Sequence, residues 1–206
     1  MELEKWTPPS KIEEIFEKTA GNAFAAINSP TSGARVTQDL PRGKASFQFY
    51  SLGTPNGQKP GIMLEELGID YDAHCNDASY LYQTSMNKHV YSYLITFLIS
   101  KVINIGKGEQ FTSGFVAGNP NSKIPMAIDH GVDGEPIRIF ESANIVLYLA
   151  EKYDKFIPKD PRLKTEMMNW IFWQMAGQGP ITGNFGHFFV YAPDHKLEAR
   201  DYGIAR

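Results

Sequence analysis

An acid and a hydroxyl stand side by side where a predicted strand runs into a predicted helix. The apolar run Ile137 to Phe140 is followed directly by Glu141 and Ser142, and Ile145 and Leu149 then recur at helical spacing. A helix N-terminus carries unpaired N–H groups and the positive end of the dipole, so it favours a small anion. The residues by themselves favour a structural interpretation, in which Ser142 caps its own helix and Glu141 complements the dipole.

A second polar pair, Thr54 and Asn56, follows the apolar run Phe47 to Leu52. That run predicts a short strand, and the stripe of apolar residues after Asn56 predicts a helix that ends at Gly68. Ligands in α/β proteins bind at the carboxyl ends of strands, so these side chains lie where chemistry is expected. Thr-Pro-Asn-Gly is also good turn sequence, and the residues alone favour a plain turn.

Pro125 marks the start of a predicted hairpin that positions the acid and the hydroxyl. Proline is accepted in a sheet at its edge or at the first residue of a strand, and the apolar run Met126 to Ile128 follows it. Turn-forming residues fill Asp129 to Gly134 before the second apolar run begins. The spacing therefore predicts two antiparallel strands that lead into the helix at Ser142.

Composition limits the classes of function. The chain has 206 residues, of which 42% are hydrophobic, so it can bury a core of one or two domains. A net charge of -3 gives no reason to expect a nucleic acid or an anionic membrane as partner. The apolar stretch Tyr91 to Ile99 is far shorter than the roughly 20 residues that a membrane helix needs. We expect no nucleic acid and no membrane among the partners.

The single cysteine, Cys75, excludes an internal disulfide framework and a Cys-x-x-Cys redox pair. Any thiol chemistry therefore requires the sulfur of a bound thiol. No apolar signal region follows Met1, so the expected compartment is the cytoplasm. No metal is expected, because one cysteine and histidines without ligand spacing do not indicate a metal site. The histidines are His74, His89, His130, His187 and His195.

Several motifs in a fixed order carry a resemblance to a known family. They are Leu52-Gly-Thr-Pro-Asn-Gly57, Gly106-Lys-Gly-Glu-Gln-Phe111, Asn119-Pro-Asn-Ser-Lys-Ile-Pro125, Phe140-Glu-Ser142, Met168-Asn-Trp170 and Gly186-His-Phe188. Together they resemble the glutathione transferase superfamily, and within it the Nu class of bacterial and fungal transferases with glutathione-disulfide reductase activity. A fungal nitrogen-regulator prion protein is related to the same class.

The resemblance implies which residues act on the sulfur of glutathione. Thr54 and Asn56 match the family positions near that atom, and we name them as catalytic. A free thiol is mostly protonated at neutral pH, so hydrogen-bond donors beside a helix start are needed to favour the thiolate. Asn28 matches an N-terminal segment that reaches over the glutathione site, although a turn before Ser29-Pro30 explains it as well.

The resemblance also implies how the rest of the tripeptide is held. Pro125 matches a cis proline, which exposes the backbone of Ile124 to the cysteinyl residue of glutathione. Lys123 and Gln110 match positions that hold the glycyl carboxylate. The γ-glutamyl ammonium and carboxylate are assigned to Glu141 and Ser142.

The resemblance to this family also implies the domain organisation. An N-terminal extension covers residues 1–44, a thioredoxin-like α/β domain covers 45–157, and a partial helical domain covers 158–206, a truncated form of the family's all-α second domain. The segment 75–101 is an insert that interrupts the expected second strand, and we interpret it as translated intervening sequence or a gene-model error. In the helical part we predict a helix from Thr165 to Ala176, which the segments 177–180 and 183–186 break.

The predicted function is that of a glutathione-dependent transferase or disulfide-bond reductase. Its partners would be glutathione and a small electrophile or disulfide, and the protein would act as a homodimer in the cytoplasm. Two alternatives remain open at this stage. One is a non-catalytic glutathione-binding or regulatory homologue, and the other is an inactive truncated isoform.

Overall fold

The described part of the chain is a mixed sheet with helices on both faces, continued by a long helical segment. The structure is a computed structural model, and it describes residues 33–74 and 103–188. The elements in chain order are β1 (Phe47–Tyr50), α1 (Pro55–Leu67), β2 (Tyr71–His74), two 3-10 turns (Ile105–Lys107 and Glu109–Phe111), α2 (Ser113–Gly118), β3 (Met126–Asp129), β4 (Ile137–Phe140), α3 (Ser142–Tyr153), α4 (Pro161–Trp173), a π-helical turn (Gln174–Gln178) and α5 (Gly179–Gly186).

The sheet has four strands in the order β2-β1-β3-β4. Strand β1 is parallel to β2 and antiparallel to β3, and β3 pairs with β4 as the predicted hairpin. This is the thioredoxin-like arrangement that the motifs predicted. The predicted strand before Thr54 is confirmed, although it ends at Tyr50, and the helix after it ends at Gly68, whose φ of 65° suits glycine.

Every residue of β1 is buried, because helices cover both faces of the sheet. Phe47 and Phe49 pack with apolar residues of α1 and α3 on one face. On the other face Tyr50 packs with Met126 and with Phe115 of α2. Since side chains alternate along a strand, this one short strand fixes the positions of the helices on both faces of the sheet.

A buried carboxylate ties the hairpin to α3. Asp129 is fully buried and accepts hydrogen bonds from the Tyr148 hydroxyl at 2.8 Å, from the Gly131 backbone at 2.7 Å and from the Lys152 ammonium. Burial by itself would raise the pKa of Asp129, but these hydrogen bonds outweigh it and hold the pKa below the ordinary value. The ionised carboxylate is therefore a structural group.

We expect Asp129→Asn to lower the free energy of unfolding by about 2 to 3 kcal/mol, because it leaves the partly covered Lys152 without its counter-charge. Urea denaturation at pH 7 measures this change. The matched control is Asp133→Asn on the exposed hairpin turn, which should stay within about 0.5 kcal/mol of the parent. Equal losses in the two variants would contradict the assignment.

A second polar network closes the β2 edge of the sheet. The His74 ring stacks on Tyr50 with centroids 4.5 Å apart, and its Nε2 lies 2.7 Å from Oε1 of Gln48. That oxygen also accepts from the Gly43 backbone at 2.8 Å, so Nε2 must be the protonated nitrogen. Nδ1 is buried without a partner in the described ranges. Burial lowers the pKa of His74 against the opposing effect of Asp72.

Because the folded-state pKa of His74 lies below its unfolded value, the unfolded chain binds the proton first as the pH falls. We therefore expect stability to decline below about pH 6.5, by up to about 1.4 kcal/mol per pH unit. His74→Gln should lose less stability than the parent between pH 7.5 and pH 5.5 in urea titrations. His130→Gln is the comparison: the pKa of His130 is also lowered, but His130 is less buried than His74, so its removal should change the slope less. A slope unchanged by His74→Gln would refute the prediction.

The end of the N-terminal extension is hydrogen-bonded to the segment at the start of α2. Residues 35–38 run along residues 111–114 through backbone hydrogen bonds of 2.8 to 2.9 Å. The approach is close, since a side chain at Gly114 would come within 2.5 Å of the Leu40 backbone nitrogen. Residues 1–32 lie outside the described part, and so does Asn28. The insert 75–101, with Cys75, also lies outside it.

The expectation that glycine and proline end the long helix is wrong. The chain stays helical from Pro161 to Gly186, because the π turn at 174–178 connects α4 to α5. Pro180 falls in the first turn of α5, where a missing N–H is tolerated. The helix also begins earlier than predicted, behind Asp160, whose carboxylate accepts two backbone N–H groups at 3.0 Å.

The helical segment leaves much of its apolar surface uncovered. Large side chains of α4 are more than half exposed, namely Leu163, Trp170, Phe172 and Trp173. The helices in the described ranges are too short or too polar to cross a membrane.

Candidate functional site

A cleft of about 330 Å³ lies between the α/β domain and the helical segment. One side is formed by the start of α1, the loop before β3 and the start of α3, and the other side by the π turn and α5. Its lining includes six of the nine predicted site residues: Asn56, Lys123, Ile124, Pro125, Glu141 and Ser142. Segments far apart in the sequence thus meet at one place.

The loop before β3 is shaped by a buried asparagine. Asn119 is 2% exposed, and its side chain accepts from the Asn121 backbone at 3.0 Å and donates to the carbonyl of Lys123. The peptide bond between Ile124 and Pro125 is cis, as predicted. Neither backbone polar group of Ile124 bonds within the described ranges, so both remain available to an extended ligand in the cleft.

Glu141 and Ser142 lie at the junction of β4 and α3, and neither side chain caps the helix. Glu141 adopts φ 69°, an uncommon conformation for a residue with a side chain, and it does not cap α3. Its carboxylate has no hydrogen bond or ion pair within residues 33–74 and 103–188. Ser142 is 3% exposed, and among the described residues its hydroxyl makes a single weak contact, at 3.9 Å from the sulfur of Met175. The interpretation of Ser142 as a helix cap is therefore wrong.

Thr54 and Asn56 flank the first turn of α1. Thr54 is the N-cap, and its hydroxyl accepts from the Gly57 backbone at 3.3 Å. Since a hydroxyl that accepts a bond keeps its own proton to donate, this cap does not exhaust the group. Thr54 does not line the cleft, whereas Asn56 is exposed and does.

Gln110 sits in the protein interior instead of the cleft. It is 5% exposed, and its amide nitrogen contacts the Ile105 carbonyl at 3.4 Å. Its side-chain oxygen is buried without a partner in the part of the chain described. The role predicted for Gln110 at the glycyl carboxylate remains a prediction.

Two lysines lie in or beside the cleft: Lys123 lines it, and Lys59 bonds to the lining residue Gln174. Desolvation lowers the pKa of Lys123, which lines the cleft. Desolvation also lowers the pKa of Lys59, and the charge of Glu141 partly offsets this effect. The Lys59 ammonium donates to the side-chain oxygen of Gln174 at 3.0 Å and so bridges α1 and the π turn.

Sequence reasoning missed Lys59 of α1 and all residues on the helical side of the cleft. Lys59 could have been found, because it lies three residues after Asn56 and therefore on the same face of α1. Gln174 and Asn184 carry no sequence signal of their own, since only the packing of α4 and α5 brings them to the cleft.

The fold and the cleft define a class of protein: a thioredoxin-like domain with a cis proline, joined to helices across a ligand site. The family model for the N-terminal domain of glutathione S-transferase matches residues 54–152. The structure of the glutathione transferase YghU from Streptococcus pneumoniae, complexed with glutathione, superposes with a TM-score of 0.72 and 39% identity. That match covers 97% of this chain and 69% of the other. The chain belongs to the glutathione transferase superfamily.

Two further relatives extend the comparison. The disulfide-bond oxidoreductase YghU of Escherichia coli is 47% identical over 191 residues, a match that covers 90% of this chain and 56% of the relative. A glutathione transferase from Pseudomonas putida, with glutathione disulfide bound, has a TM-score of 0.62 and 31% identity over 80% of this chain and 62% of that one. The chain therefore spans little more than half the length of its Escherichia coli relative.

The hydroxyl groups of Thr54 and Ser142 differ in their hydrogen bonds, so removing each should affect stability differently. Thr54→Ala should lower the free energy of unfolding by about 1 kcal/mol, the usual cost of losing a helix cap. Ser142→Ala should leave stability unchanged or slightly higher, because a buried hydroxyl without a strong partner is unfavourable. Chemical denaturation of both variants measures the contrast. A loss in Ser142→Ala as large as that in Thr54→Ala would show that Ser142 supports α3 after all.

Proposed function

We propose that the chain is a glutathione-dependent enzyme, either a transferase or a disulfide-bond reductase, that uses the thiol of bound glutathione. The observation that carries this proposal is the meeting, in one cleft, of the start of α1, the cis proline loop and the Glu141–Ser142 junction. Each of the three presents polar groups with hydrogen-bonding capacity that the described residues do not fill.

The geometry accommodates an extended tripeptide. Its cysteinyl backbone pairs, in the manner of an added strand, with the N–H and C=O of Ile124, which no described residue bonds. The γ-glutamyl ammonium pairs with Glu141, while its carboxylate meets the Ser142 hydroxyl and the uncapped first turn of α3. Lys123, and by resemblance Gln110, receives the glycyl carboxylate. Asn28 remains a further ligand candidate.

The sulfur then lies near the start of α1, where donors favour its ionised form. The Asn56 amide and the Thr54 hydroxyl each have a hydrogen to donate, and the dipole of α1 adds to their effect. For disulfide reduction, the thiolate attacks the glutathione sulfur of a glutathione mixed disulfide. A new S–S bond forms, the old one breaks, and the released thiolate takes a proton from water. The products are glutathione disulfide and a free thiol.

The relatives favour the reductase over the conjugating transferase. The Escherichia coli relative is named a disulfide-bond oxidoreductase, and the Pseudomonas putida structure holds glutathione disulfide. The second substrate of this chain would accordingly be a small disulfide, with a small electrophile as the other candidate.

The site of action and the assembly follow as part of the same proposal. A reaction that uses reduced glutathione belongs in a reducing compartment, which makes the cytoplasm the proposed location. The exposed aromatic face of α4 supports self-association as a homodimer, because apolar patches of that kind are commonly covered by a partner. Neither a nucleic acid nor a membrane is proposed as a partner.

The test is the reduction of a glutathione mixed disulfide by the purified chain. Asn56→Ala should lower kcat/KM by about 100-fold, because the thiolate loses a positioned donor. The matched control is Gln58→Ala, an exposed amide on the same helix but outside the cleft, which should retain parental activity.

Binding and turnover separate the alternatives. Retention on immobilised glutathione without any turnover would favour the non-catalytic homologue. A chain that neither binds glutathione nor reduces the disulfide would refute the proposed function.

A further inference from the structure

Lys59 connects the two sides of the cleft and is not explained by the fold. It is half-buried in α1, and its ammonium donates to the side-chain oxygen of Gln174 at 3.0 Å across 115 residues of sequence. Gln174 lines the cleft together with Glu141 and Ser142. The ammonium therefore reaches the cleft lining at Gln174, although Lys59 is not itself one of the lining residues.

Lys59 and Glu141 act on each other without being bonded. The charge of Glu141 affects the Lys59 ammonium, yet the two groups do not form an ion pair among the described residues. An ammonium has three donors, and Lys59 uses one of them on Gln174. The Glu141 carboxylate uses none of its acceptor sites on the described residues. The protein thus presents a separated positive and negative charge, each with unused hydrogen-bonding capacity.

A ligand with an amino-acid head group complements that arrangement. The γ-glutamyl end of glutathione carries an ammonium and a carboxylate on the same carbon atom. If the ammonium pairs with Glu141, the carboxylate lies a few ångströms away and requires donors of its own. The Ser142 hydroxyl and the first turn of α3 supply neutral donors, and Lys59 is the nearby cation.

We propose that Lys59 is a specificity-determining residue that binds the α-carboxylate of the γ-glutamyl group and so selects ligands with an intact amino-acid head. This assignment rests on the proposed function, since it concerns the same cleft. Removing the carboxylate from the ligand leaves an ammonium beside two positive partners, Lys59 and the α3 dipole. Lys59 therefore acts both by attracting the right ligand and by disfavouring the wrong one.

The competing explanation is that Lys59 only fixes Gln174 in place. The two explanations differ in what Gln174→Leu does. That variant removes the bridge across the cleft but leaves the ammonium of Lys59 in α1, so it should retain selectivity for the carboxylate. Lys59→Met removes the charge and keeps most of the side-chain volume.

The experiment compares two ligands by isothermal titration calorimetry: glutathione, and γ-aminobutyryl-cysteinyl-glycine, which lacks only the α-carboxylate. The parent should bind glutathione more tightly than the analogue. Lys59→Met should weaken glutathione binding by about tenfold, as expected for the loss of one charge-assisted hydrogen bond, and slightly raise the affinity for the analogue, because a repulsive charge is removed. Lys59→Arg should retain the parental preference. Lys164→Met, an exposed lysine of α4, is the control and should bind as the parent does.

The outcomes separate this assignment from the function on which it rests. A preference that falls about tenfold in Lys59→Met but persists in Gln174→Leu supports the assignment. Equal weakening of both ligands in Lys59→Met, or an unchanged preference, overturns it while glutathione binding by the parent stands. Failure of the parent to bind either ligand overturns both. Thermal denaturation of each variant verifies that the affinities refer to folded protein.

Discussion

The burial of β1 on both faces is the constraint on which the rest of the structure depends. Helices α1 and α3 must pack against one face and α2 against the other, because every residue of this strand is covered. Once these helices are packed, the start of α1, the loop before β3 and the start of α3 lie together at the same end of the strands. The cleft is a consequence of that convergence.

Two carboxylates of the hairpin differ in whether the fold supplies them with hydrogen-bond partners, and this difference decides the charge of the cleft. Asp129 is fully bonded at the other end of the β3–β4 hairpin, so its charge is committed to the structure. Glu141 makes no such bonds to the residues that the structure describes, and it is held at a positive φ where a strand turns into a helix. A conformation of that kind costs free energy, and it persists where the surrounding structure or a ligand requires it. Asp129 thus has a structural role, whereas the described residues leave the charge of Glu141 without a bonded partner.

The helical side of the cleft depends on an irregularity. A regular α-helix through Gly177 and Pro180 would be unfavourable, but the π turn carries the chain past both and places Gln174 and Met175 at the cleft. The π turn thus serves the site as well as the continuity of the helix. The same helices leave aromatic surface exposed on α4, which sets this part of the molecule apart from the closed core of the sheet.

The sequence by itself determined the features that depend on neighbouring residues. The hairpin before Glu141, the helix that ends at Gly68 and the cis peptide at Pro125 were all predictable, since turn chemistry, helical spacing and an ordered set of motifs are contained in short segments. Only the tertiary structure decided which groups share the cleft. It excluded Gln110 from the lining, removed the capping role of Ser142 and joined Lys59 to Gln174. Those outcomes depend on the packing of helices across a long separation in sequence, and no local pattern of residues records that packing.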